Sequence, residues 1–182
     1  MSLLSAAALA ALLAGASSAS APVPRCPVET LTGARLELSR DIAPHLAVII
    51  IGFTKASRTQ ATEWSKRLES EVSGVSDTQV FQVAVLADVP WFLRGFVIRQ
   101  IRASVPKSLH PRSLLALSDA DAWKRLADFT EEDAAYVVLV GHGELLWRSH
   151  GPLTEERYRG LTEALEAIPK PSAPAAVSSA QP

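Results

Sequence analysis

Residues 46–53, reading LAVIIIGF, constrain this chain more than any other segment. The run is continuous, apolar and β-branched, and it ends at Gly52 and a polar turn. A strand with one wet face alternates, whereas an unbroken run predicts a strand covered on both faces by helices. The next segments fit that reading. Over residues 57–71 and into Val72, Trp64, Leu68 and Val72 recur four apart, while Glu63, Lys66, Arg67 and Glu69 stay on the wet side. This spacing predicts an amphipathic helix, with Ser57 as its N-cap. Residues 79–86 alternate and then run apolar, which predicts a second strand. Strand, helix and strand in that order imply a right-handed crossover and a parallel pair.

The remaining elements follow from similar signals. Residues 28–31 and 34–38 flank Thr32-Gly33 and predict a short hairpin. Pro90 suits the first turn of a helix over 91–102, and Pro106 and Pro111 break what comes after. Residues 113–117 are a strand or a packed turn. Ser118 or Asp119 caps a helix over 120–126. Residues 135–140 and 144–149 are two strands joined at Gly141-His142-Gly143, whose glycines are expected to supply the positive φ of a tight turn. Residues 154–168 form the last helix. Thr154 is its cap, and Tyr158, Leu161, Leu165 and Ile168 are its buried stripe. A parallel half followed by an antiparallel half with a terminal helix is the α/β, thioredoxin-like three-layer arrangement, a mixed central sheet flanked by helices. Residues 22–168 are assigned to this single domain.

The two ends differ from the middle. Residues 1–21 carry no charge, and Ala19-Ser20-Ala21 fits the small-x-small rule of a cleavage site, so this stretch is expected to be a removable signal or transit leader. Residues 169–182 are mostly Pro, Ala and Ser and predict a disordered tail.

The chemistry expected of such a fold has no residues to carry it. Cys26 is the only cysteine, so a Cys-x-x-Cys site, an internal disulfide and a cysteine zinc site are all excluded. Where the first long strand meets its helix, the chain reads Gly52-Phe53-Thr54-Lys55-Ala56-Ser57. A peroxiredoxin-like enzyme would need Thr-x-x-Cys there; this chain has Thr54-x-x-Ser57, and a serine hydroxyl is too weakly acidic to replace a thiolate without a positioned base. Ser57 therefore reads as a structural residue. No proline precedes Ala135, where thioredoxins carry the cis-proline that binds extended peptide. His45, His110, His142 and His150 lack metal-ligand spacing, and Glu131-Glu132-Asp133 reads as a solvated loop or helix start. Catalytic, cofactor-binding and metal residues are all expected to be absent.

Residues 91–112, reading WFLRGFVIRQIRASVPKSLHPR, stand apart. The whole chain has a net charge of -1, yet no acidic residue lies between Asp88 and Asp119. Arginines interleave with aromatic and aliphatic side chains. Arginine suits phosphates and carboxylates, and Trp and Phe settle at apolar interfaces. The expected partner-binding residues are Trp91, Phe92, Arg94, Phe96, Arg99 and Arg102, with Lys107 and His110 at the edge. A hydrophobic protein or a membrane surface is the expected partner; nucleic acid is not.

The run Arg102-x-x-x-Pro106-x-x-x-His110 behind this helix resembles that of mitochondrial F-type ATP synthase assembly factors of the thioredoxin-like family, chaperones of the proton-channel subunit a. The likeness continues through Ala135-Tyr136-Val137-Val138-Leu139-Val140, Gly143-Glu144-Leu145-Leu146-Trp147-Arg148 and Gly151, and spans residues 48–165. Trp147 precedes Arg148 where the family has the reverse order, and Ala135 stands where the family has glycine. The resemblance implies a non-enzymatic chaperone at the mitochondrial inner membrane. It would hold a newly made hydrophobic subunit, ATP synthase subunit a, while the membrane sector assembles. Two alternatives stay open, the first favoured by a functional secretory leader. One is a secreted, plastid or periplasmic peroxiredoxin-like domain that has lost its reactive cysteine and acts as a binding module. The other is an enzyme that brings Cys26 near Ser57 or Arg58.

Overall fold

The computed structural model describes residues 21–72 and 78–168. The leader expected at 1–21 lies outside them except for Ala21, and the tail expected at 169–182 lies wholly outside.

The described residues build one eight-stranded mixed sheet, in the order β1-β8-β7-β4-β5-β6-β2-β3. Its centre is β4 (Ala47–Gly52), β5 (Gln79–Val85) and β6 (Ser113–Ala116), which are parallel to one another. On the far side of β4, β7 (Ala135–Gly141) and β8 (Glu144–His150) continue antiparallel. The apolar run of β4 behaves as its sequence predicts: Ala47, Val48, Ile49, Ile50 and Ile51 are all buried. The predicted hairpin is β2 (Pro27–Thr30) with β3 (Arg35–Glu37), and β2 joins the edge of β6. A two-residue strand, β1 (Ala21–Pro22), pairs with β8 at the opposite edge.

Helices cover both faces of the sheet. On one face α1 (Arg58–Glu71) and α4 (Glu155–Glu166) place Trp64, Leu68, Tyr158 and Leu161 over Val48, Ile50, Val137 and Leu139. On the other, α3 (Ala120–Ala127) places Trp123 and Leu126 with Ile49, Ile51, Tyr136 and Val138, together with a wide turn at Leu38–Ile42. The alternation of β4 and β7 sorts successive residues into these two cores. α2 (Trp91–Ser104) lies toward the β6 end, over a smaller cluster of Leu31, Leu86 and Leu115. Among the described residues no helix is long and apolar enough to cross a membrane.

Three local expectations are corrected. Ser57 precedes α1 but does not cap it; its Oγ donates to the Thr54 carbonyl at 2.9 Å. Asp119 precedes α3 in the left-handed region (φ 58°), with no side-chain cap bond. In the β7–β8 turn the positive-φ residues are His142 (56°) and Gly143 (82°), not Gly141. Gly141 answers a different need: a Cβ there would lie 3.1 Å from the Leu146 side chain and 3.2 Å from that of Leu46. Thr154 does cap α4, accepting from the Arg157 N–H at 3.3 Å.

Candidate functional site

Two places on one end of the sheet carry the features singled out in the sequence. The first is the β4–α1 junction. Gly52 leads into a loop held to the segment before β7. The Thr54 hydroxyl donates to the Glu132 carbonyl (3.2 Å) and to Asp133 Oδ1 (3.0 Å). The Ala135 N–H at the head of β7 donates to Gln60 Oε1 at 3.0 Å. Beneath this segment the fully buried Tyr136 hydroxyl accepts from the Thr130 and Glu131 N–H groups, each at 2.8 Å, and donates to the Glu131 carbonyl at 3.0 Å. The acidic stretch 131–133 is thus an exposed loop tied down from below, and its backbone bonds go to Thr54 and Tyr136. Ser57 is buried, with its hydroxyl committed to Thr54.

Cys26 does not reach this junction. It is fully buried in the core beside α3, whereas Ser57 approaches Gly52 on the α1 face, so the sheet lies between them. Burial, with Asp119 nearby, pushes the thiol up to about 11. At neutral pH it is therefore a protonated core side chain, without the thiolate that nucleophilic chemistry needs.

The histidines are not brought together. His142 sits exposed in the β7–β8 turn, and His150 ends β8, its ring stacked on Tyr136 at 5.5 Å. Among the described residues no three His, Cys, Asp or Glu side chains are grouped to hold a metal ion.

The second place is α2, which has no fully buried residue. Its first two turns project apolar side chains into water: Trp91 is 82% exposed, Phe92 66%, Leu93 45% and Phe96 60%. Trp91 and Phe92 meet edge to face at 6.0 Å. Helical spacing puts Phe92, Phe96 and Arg99 on one outward stripe, and Arg99 and Arg102 are exposed. Lys107 is exposed on the turn that follows. Arg94 and His110 are placed differently from the other expected contacts. Arg94 folds back under the helix start, donating from Nε to the Val89 carbonyl (2.8 Å) and from Nη2 to the Ala87 carbonyl (2.7 Å). His110 is half-buried, its Nε2 3.0 Å from the Val105 carbonyl. Arg94 thus anchors the aromatic turn. Leu93 joins the exposed set, and its place beside Phe92 was the available signal.

Behind α2, toward α1, the sheet is incompletely covered and an apolar cavity of about 400 Å3 opens. Composition could not reveal it, because it arises from how far two helices stand apart.

No protein-family model matches the chain, and no curated protein matches it in sequence. Solved structures do match in shape. The exposed lipoprotein thioredoxin Etrx1 of Streptococcus pneumoniae superposes with a TM-score of 0.55 at 11% identity, covering 79% of this chain and 99% of its own. BsSco, of the Sco family of cytochrome c oxidase assembly proteins, gives 0.56 at 13% identity, covering 82% and 94%. Copper-bound ScoI of Arabidopsis thaliana gives 0.54 at 11% identity, covering 81% and 100%. At such identities the likeness speaks for the fold alone. The fold is thioredoxin-like, a mixed sheet with flanking helices and, with a single cysteine in the chain, no Cys-x-x-Cys site.

Proposed function

We propose that this chain is a non-catalytic holding protein for a hydrophobic membrane subunit, docked on the outer face of α2. The observation that carries the reading is the aromatic turn of that helix. Four large apolar side chains stand in water beside Arg99 and Arg102, at a cost in solvation that a monomer without a partner has no reason to bear. Apolar side chains would bury the client's exposed surface. The arginines would pair with its carboxylates, or with lipid phosphates at a bilayer edge. Arg94, tied to two carbonyls, would hold the aromatic turn in place.

The resemblance of the 102–110 run and the β7–β8 pair supports ATP synthase subunit a, at the mitochondrial inner membrane, as the client. BsSco, a structural neighbour, belongs to a family of cytochrome c oxidase assembly proteins, so this fold serves the assembly of a respiratory complex elsewhere. That likeness supports the reading no further than the fold.

The test is localisation with pull-down from cells that make the protein, using a C-terminal tag that leaves the N-terminus free. The expected result is recovery at the inner membrane with newly made subunit a, lost on Arg99→Glu/Arg102→Glu while the circular dichroism spectrum is unchanged. Recovery in the secretory pathway, a plastid or the periplasm, without ATP synthase subunits, would overturn the client assignment. It would favour a binding module descended from a peroxiredoxin-like enzyme.

A further inference from the structure

The cavity between α1 and α2 is a different surface from the outward aromatic turn. Its volume of about 400 Å3 lies within the roughly 300–1,000 Å3 of small-molecule sites. Ile50, Ala84 and Leu115 of three neighbouring strands form its floor, Ala61 its α1 wall, and Val97 and Ile101 its α2 wall. The cavity opens to solvent, so a hydrocarbon guest would displace water from apolar walls.

Most polar side chains around it are already engaged. Gln82 Nε2 donates to Ser65 Oγ. The hydroxyls of Ser57, Ser104 and Ser113 donate to the carbonyls of Thr54, Ile101 and Leu109. Thr54 is bonded to Asp133. Lys55 and Arg58 stand exposed at the α1 end and form no ion pair among the described residues, and no lining residue is acidic. A largely apolar interior with two unpaired cations at one end is complementary to an amphiphile with a single anionic head.

We propose that this cavity binds a medium-chain fatty carboxylate, its hydrocarbon tail between α1 and α2 and its carboxylate on Lys55 and Arg58. The site goes beyond the client reading and does not depend on it, because it uses the inner face of α2. Titration of the full chain with dodecanoate, followed by calorimetry, tests it. Saturable one-to-one binding is expected. Lys55→Glu/Arg58→Glu should weaken it by roughly tenfold or more, the effect of removing a charge-assisted contact, and dodecanol should bind correspondingly less well than dodecanoate. Val97→Trp, which fills the tail space, should abolish binding; Ala61→Phe fills it from the other wall if the first variant fails to fold. Phe92→Ser/Phe96→Ser should leave dodecanoate binding unchanged even where it abolishes client capture, so the two readings fail separately. The proposal is overturned by no saturable binding, by binding indifferent to both the charge reversal and the filled cavity, or by association with anionic phospholipid vesicles but not with free dodecanoate.

Discussion

Removing one oxygen atom from the core tests how the loop before β7 is held. In Tyr136→Phe the ring keeps its contacts with Phe53, Phe129 and His150, at centroid distances of 5.6, 5.8 and 5.5 Å. What is lost is a hydroxyl that accepts two backbone N–H bonds and donates to one carbonyl. At a net contribution of about 1 kcal/mol per bond, the variant should lose roughly 2–4 kcal/mol. Thr130 and Glu131 are exposed, so water can take over some of the bonds and the lower half of that range is expected. For a domain of this size the Tm should fall by roughly 5–15 °C. Urea denaturation followed by circular dichroism gives the free energy, and an unchanged m-value would show that no wider unfolding contributes. A loss below about 0.5 kcal/mol, the level of an ordinary surface change, would refute the anchor and mean that the loop is held by Thr54 and Gln60 alone.

Further predictions follow from single contacts. A Cβ at Gly52 would meet Ser57 Oγ at 2.8 Å, so Gly52→Ala should cost roughly 1–3 kcal/mol; in a Ser57→Ala background the cost should shrink, and an equal cost in both would remove the contact from the account. Gly95 lies in the exposed face of α2 with nothing within 4 Å of a Cβ, so Gly95→Ala should stabilise the domain by about 0.5–1 kcal/mol in thermal melts. Cys26 should resist iodoacetamide at neutral pH until the protein unfolds. Its raised thiol, at about 11, keeps its proton in the fold where the unfolded chain has begun to lose it, so that contribution to stability is complete at neutral pH and fades as the solution approaches pH 11. Arg40, through its side-chain bonds, and the Glu37 N–H hold Asp41 down to about 2. Arg40→Ala should raise that carboxyl in an NMR titration, and in the native chain the carboxylate's contribution disappears as the pH falls toward 2.

The central strands were legible because burial on both faces leaves a plain mark. β4 and β7 are unbroken apolar runs, and both lie at the centre of the sheet. α1 and α4 were legible from stripes three or four residues apart that include Trp64, Leu68, Tyr158 and Leu161. What escaped depends on partners distant in sequence. The role of Gly141 comes from Leu46 and Leu146 closing on it, while positive φ lies at His142 and Gly143. Ser57 turns toward Thr54 instead of capping, which no local pattern encodes. β1 is two residues long and takes its identity from the free edge of β8. At the candidate site, the aromatic and basic character of α2 was visible in its composition. That Arg94 faces inward while Phe92 and Phe96 face outward emerges only once the helix is set on the sheet. The cavity had no sequence signal, since its walls look like ordinary core residues.

Site-specific photo-crosslinking tests the outer face of α2 as a client surface most directly. A benzoylphenylalanine at position 92, with a second at the exposed Glu163 of α4 as control, would be irradiated in cells that make the protein. A crosslink from position 92, and not from 163, to a hydrophobic membrane subunit identified by mass spectrometry is the expected result. No crosslink from 92, or the same products from both positions, would contradict it.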